Sequence, residues 1–259
     1  PTEGATLTWA EALDGGNPRN KVANRDKLMK LVAPFTGEPV EIVKLEQRFA
    51  GRQFGENGLM FVTEVNRDTN RRKMWMLNYL NSSVAPRVVL DLSLSDRYND
   101  IGNFVTKRLP NGYSVILRDG DDVFTSGTGA SPEGDRPFLR RFSLKDMKVS
   151  SEIFRSSNDS YETFAGFADD KGLNFFTRKE SLTEPPNLYL NYRCPPNTTC
   201  AAVANKQVTE FKDPTPQLRA IKKQLVRYKR ADGVDLSFTL YLPPGYKEGT
   251  RLPTVVWAY

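Results

Sequence analysis

Residues 58–80 read GLMFVTEVNRDTNRRKMWMLNYL: an apolar run, a basic and polar turn, then a second apolar run. In the first run Leu59, Phe61 and Val65 fall on one side of an extended chain, and Met60 and Val62 fall on the other. A sheet with one face in water alternates apolar and polar residues, so apolar groups on both sides mean a strand covered on both faces. The cluster NRDTNRRKMW (66–75), the densest in basic residues, lies between the two runs and reads as an exposed hairpin turn.

The same unit recurs along the chain. ATLTWAEAL (5–13) turns through DGGNPRN into DKLMKLVAP (26–34), followed by PVEIVKLEQRFAG (39–51). The quoted unit continues into PRVVLDLSL (86–94). GYSVILRDG (112–120) leads through a long excursion, DDVFTSGTGASPEGDR, to PFLRRFSL (137–144) and VSSEIFRSS (149–157). GLNFFTRKE (172–180) turns through SLTEPP into NLYLNYR (187–193) and KQVTEFKD (206–213). From Leu7 to Leu59, Val115 and Leu173 the steps are 52, 56 and 58 residues. Antiparallel strands repeating at such a period predict an all-β chain built as a partial β-propeller of about four blades over residues 1–218. A two-sheet β-sandwich is the alternative. After Leu218 the pattern changes: RADG is a tight-turn signal, so QLVRYKR and VDLSFTLYL predict a hairpin and LPTVVWAY a further buried strand, within a second unit spanning 219–259.

Composition narrows the function. The chain has 259 residues, a net charge of +6 and no histidine. Without histidine it holds no Ser-His-Asp or Cys-His catalytic unit of its own and no His-ligated zinc. Lys and Arg are spread thinly rather than gathered on one aromatic-laced face, which speaks against nucleic-acid binding. No run of about 18 apolar residues predicts a membrane helix, and the first residues resemble no signal peptide. Cys194 and Cys200 lie in a Pro-rich loop, either as two free thiols or as a disulfide closing a small ring; the pair favours an exported, periplasmic or extracellular protein. Asp119, Asp121 and Asp122 lack the spacing of a calcium loop and read as a hairpin turn. Asp91, Asp96 and Asp100 read as a solvated connection, and Trp9, Trp75 and Trp257 as core. No metal or cofactor is called for.

The stretch LVRYKRADGVDLSFTLYLPPGYKEGTRLPTVVWAY (225–259) resembles the junction between propeller and α/β-hydrolase domain in serine peptidases of the prolyl oligopeptidase family. ATLTWAEALDGG (5–16), GTGASPEGDRPFLRRF (127–142) and DPTPQL (213–218) are similar to stretches of its glutamyl endopeptidase branch. This resemblance implies the later part of a propeller plus the first strands of a hydrolase domain, working on peptide substrates cut after glutamate. Its partners would be the missing propeller half and the catalytic domain of the same protein. The Ser, Asp and His of the triad would lie outside this chain, which contains no G-x-S-x-G elbow. The resemblance also implies that Tyr259 donates its hydroxyl to the oxyanion hole; packing at a strand end is the other reading. Recognition of glutamate needs a cation, and Arg118, Arg136, Arg140 and Arg141 flank the long excursion. An open half-ring is expected to self-associate or to be marginally stable. From a different class, a non-enzymatic propeller that binds or scaffolds other proteins fits the repeats as well.

Overall fold

The computed structural model describes residues 4–169, 172–192 and 205–258. The first sheet holds β1 (Thr6–Ala12), β2 (Asp26–Val32) and β3 (Val40–Leu45) in that order. The second is the four-stranded meander β4 (Arg48–Phe54), β5 (Leu59–Asn66), β6 (Arg71–Asn78) and β7 (Arg87–Ser93).

The third sheet has an interrupted first strand. Short β8 (Asn103–Phe104) and, beyond an inserted hairpin of β9 (Thr106–Arg108) and β10 (Ser114–Ile116), short β11 (Arg118–Asp119) pair along the same edge of β12 (Asp122–Gly127). A second small hairpin, β13 (Ala130–Ser131) with β14 (Gly134–Asp135), forms a finger between β12 and β15 (Phe138–Ser143); β16 (Lys148–Arg155) completes the sheet. The fourth sheet is β17 (Tyr161–Phe167), β18 (Asn174–Glu180), β19 (Asn187–Tyr192) and β20 (Asn205–Gln207). After a 3-10 turn at Pro216–Ala220, β21 (Lys222–Lys229) and β22 (Asp235–Leu242) form the hairpin expected from RADG, with Gly233 at φ 88° in its turn.

The four sheets stack face to face in chain order, with an apolar core in each gap. Leu28 and Leu45 meet Met60, Val62 and Leu77 between the first and second sheets. Leu59, Phe61 and Val89 meet Phe104, Val123 and Phe142 between the second and third. Leu117, Phe124 and Leu139 meet Phe175 between the third and fourth. Alternation does the work: adjacent residues Met60 and Phe61, or Val123 and Phe124, feed opposite gaps because successive side chains point to opposite faces. Three separate cores among four sheets differ from a two-sheet sandwich, which has one. No barrel closes.

Several expectations are corrected. PVEIVKLEQRFAG is two strands in different sheets, divided at Glu46–Gln47, so each later sheet begins earlier than the apolar runs suggest. The excursion 121–136 contains β12, a central strand with Val123, Phe124 and Thr125 buried. YETFAGF, unread in the sequence, is β17. The closing run has no strand: Val255, Val256 and Trp257 are 93%, 87% and 85% exposed, so Trp257 is not core. With no neighbouring strand to take its backbone groups, an apolar run has nothing to make it a strand.

Candidate functional site

The β1–β2 loop, the loops joining second to third strands in the later sheets, and the connections leading into their first strands lie on one rim of the stack. Cross-sheet ties fix them there. Arg48, opening β4, pairs with Asp26 at 2.5 Å and with Asp14, and the Asp26 carboxylate also accepts the Phe49 N–H at 2.6 Å. Arg25 reaches the same Asp14 at 3.1 Å. Burial pushes the Asp14 carboxyl up, but hydrogen bonds from Arg48, the Gly16 N–H and Arg25 outweigh it and hold the group below the usual carboxylate range. The hydrogen bond to Asp14 in turn raises Arg48. Further along, Arg72 pairs with Asp100 at 3.3 Å, and Arg136 donates to the Ser156 carbonyl at 3.1 Å.

Among the described residues, cavities open at two places on this rim. One, of about 550 Å³, lies between the first two sheets and is lined by Arg25, Arg48 and Arg67 among others. There the two guanidiniums nearest the interior are already matched by Asp14 and Asp26. The second, of about 400 Å³, lies between the third and fourth sheets. Its walls come from the connection before β8 (Arg97, Asp100, Gly102), from Asn103, from the root of the finger (Ser126 to Gly129) and from the start of β17 (Tyr161, Thr163). The finger tip touches the hairpin that follows the repeats: the Arg227 guanidinium donates to the Pro132 carbonyl. The 400 Å³ cavity and the post-repeat hairpin are therefore joined by one short element.

The arginines singled out in the sequence do not converge on a pocket. Arg118 donates to the Gly120 carbonyl and pairs with Asp121; Arg141 pairs with Asp119 and Asp122. These contacts neutralise the acidic knot with arginine, and among the described residues no group of acidic, His or Cys side chains is arranged to hold a metal. Arg140 pairs with Glu152 and lies over the Phe138 ring. Arg155 is the principal cause holding the Glu152 carboxyl low. Asp91 pairs with Arg71, and Asp96 is held low chiefly by the Asn99 side-chain amide. Cys194, Cys200 and Tyr259 lie outside the described residues. Arg97 lies in DLSLSDRYND, which reads as a solvated connection, Asn103 in a stretch outside the repeated unit, and Thr128 within the long excursion; the signal the sequence offers there is glycine in a polar loop, at Gly102 and Gly129.

The hairpin β21–β22 is amphipathic. Val226, Tyr228, Leu236, Phe238 and Leu240 share one face by register, and the Tyr228 and Phe238 rings meet edge to face at 5.9 Å. That face is half open to solvent, with Tyr228 and Phe238 both exposed.

Compared with known proteins, the chain is 34% identical, over its whole length, to the probable chloroplastic glutamyl endopeptidase of Oryza sativa subsp. japonica. It is 34% identical over 97% of its length to the protein of the same name from Arabidopsis thaliana. The chain is thus similar in sequence to one part of two proteins that carry a peptidase's name. It spans 29% and 27% of the length of these two relatives. No family model matches it. Among the described residues no helix is long and apolar enough to cross a membrane.

Proposed function

We propose that this chain is the propeller portion of a serine peptidase of the prolyl oligopeptidase family, in its glutamyl endopeptidase branch. The stacked sheets are consecutive blades, and residues 219–259 begin the α/β-hydrolase domain. The whole protein hydrolyses peptides after glutamate by acyl-enzyme chemistry on a Ser-Asp-His triad supplied outside this chain. The blades roof the active site and admit peptides and unstructured chains while excluding folded proteins. Tyr259 donates its hydroxyl to the oxyanion of the tetrahedral intermediate, a contribution of about 3 kcal/mol for one such donor.

The observation that carries this reading is the 34% identity that runs through the entire chain while covering 29% of the relative. The open apolar face of β21–β22 and the exposed run after Leu252 support it, since they are the surfaces a following domain would cover. The test is hydrolysis by the intact protein of peptides that differ only in Glu, Gln or Asp at one position. Cleavage after Glu, abolished by a serine-directed phosphonate, is expected; absence of cleavage, or cleavage indifferent to that residue, rejects the reading.

A further inference from the structure

We propose that the 400 Å³ cavity between the third and fourth sheets is a subsite for an acidic side chain of a bound peptide, with the Arg97 guanidinium pairing its carboxylate. The proposal rests on the peptidase reading and assigns that reading a specificity residue.

The chemistry of the lining supports it. Among the described residues Arg97 is the one cation in the wall. Its side chain is 66% exposed, and its nearest carboxylate, Asp135, stands 3.8 Å away. A charge-assisted hydrogen bond spans about 2.7–2.9 Å, so this pairing leaves the guanidinium donors open to a ligand. The other charge in the wall, Asp100, has the Arg72 guanidinium 3.3 Å away as a partial counter-charge, and it accepts the Gly102 N–H at 2.9 Å. Asn103, Ser126 and Thr128 present side-chain donors and acceptors with no hydrogen-bond partner among the described residues. Groups of this kind, accessible and unspent, are what a peptide backbone needs. Phe138 and Phe164 add apolar wall for the methylene stem of a glutamate.

Backbone geometry keeps the cavity open. Gly102 and Gly129 have φ of 83° and 63°, and a Cβ on either would collide with a carbonyl oxygen, of Ser126 and of Arg136 respectively. Two chain segments pass closer there than any side chain permits. The position is also apt: Thr128 and Gly129 form the root of the finger whose tip holds Arg227 of the post-repeat hairpin. A peptide seated here lies beside the element that leads into the proposed catalytic domain.

The test uses the intact protein and two fluorescently labelled pentapeptides identical except for a central Glu or Gln, each N-methylated at the following amide so that it cannot be cut. Anisotropy titration should show the Glu peptide binding at least about tenfold more tightly, the worth of one charge-assisted pair. Arg97→Gln should erase that preference while leaving the Gln peptide's affinity unchanged, which also certifies that the variant is folded. The proposal is overturned if the unaltered protein binds both peptides alike or neither, or if Arg97→Gln keeps the preference or weakens both equally. Failure of the peptidase reading looks different: Arg97-dependent binding of the Glu peptide with no hydrolysis of its unmethylated form. Conversely, cleavage after Glu that Arg97→Gln leaves unchanged rejects the subsite and keeps the peptidase.

Discussion

Asp14 is the residue on which the first two sheets are joined. Its side chain is fully buried, and it is shared by Arg25, at the end of the β1–β2 loop, and Arg48 of the second sheet. Because its folded pKa lies below its unfolded value, the stability it contributes is complete above the unfolded carboxylate range near pH 4 and is lost as the pH falls through the lower folded value. Asp14→Asn should therefore lower the melting temperature markedly at neutral pH, and the gap to the unaltered protein should narrow as the pH drops below about 4. A gap that stays constant with pH would mean the charge carries none of the effect. Gly102 is constrained in both backbone angle and space. Alanine there meets both a positive φ of 83° and the Ser126 carbonyl, so Gly102→Ala should cost about 1–3 kcal/mol in a urea titration.

Individual strands show what was legible in the sequence and what was not. Two-sided apolarity in β5 and β6 announced a strand covered on both faces, and the cores place Met60 and Phe61 in opposite gaps. The boundary at Glu46–Gln47 was invisible, because a strand can leave one sheet and enter the next across two residues without any Gly or Pro to mark it. β12 was hidden by its neighbours: DDVFTSG is polar at both ends, and only Val123, Phe124 and Thr125 are buried. The closing TVVWA misled in the other direction, since apolarity predicts burial only where a partner exists to provide it. At the candidate site, the arginines flanking the excursion drew attention by density, yet each is engaged by a neighbouring carboxylate or carbonyl. Arg97 stood alone in a loop and carried no local signal of the cavity that distant segments build around it. Separate cores also make a prediction. Leu28→Ala opens the gap between the first two sheets and Phe124→Ala the gap between the last two, each costing about 3–5 kcal/mol. The two share no partners, so the double variant should add within about 0.5 kcal/mol, and a larger coupling would contradict independent packing layers.

For the whole molecule, the surfaces that remain open are as informative as the cores. The apolar face of β21–β22 and the run through Trp257 are exposed in this chain. Trp257 should accordingly supply most of the iodide-quenchable fluorescence of residues 1–259, and Trp257→Phe should remove it, whereas Trp9 and Trp75 are partly buried within sheets. In the intact protein the same tryptophan should be shielded, if a following domain covers it. On the proposed reading, these sheets serve a serine nucleophile located elsewhere in the same protein. The most direct measurement is to label the intact protein with a fluorophosphonate and locate the modified residue by peptide mass spectrometry. One labelled serine outside residues 1–259, with loss of Glu-peptide hydrolysis in proportion to labelling, is the predicted result. No labelled serine, or a label on a serine within residues 1–259, would contradict it.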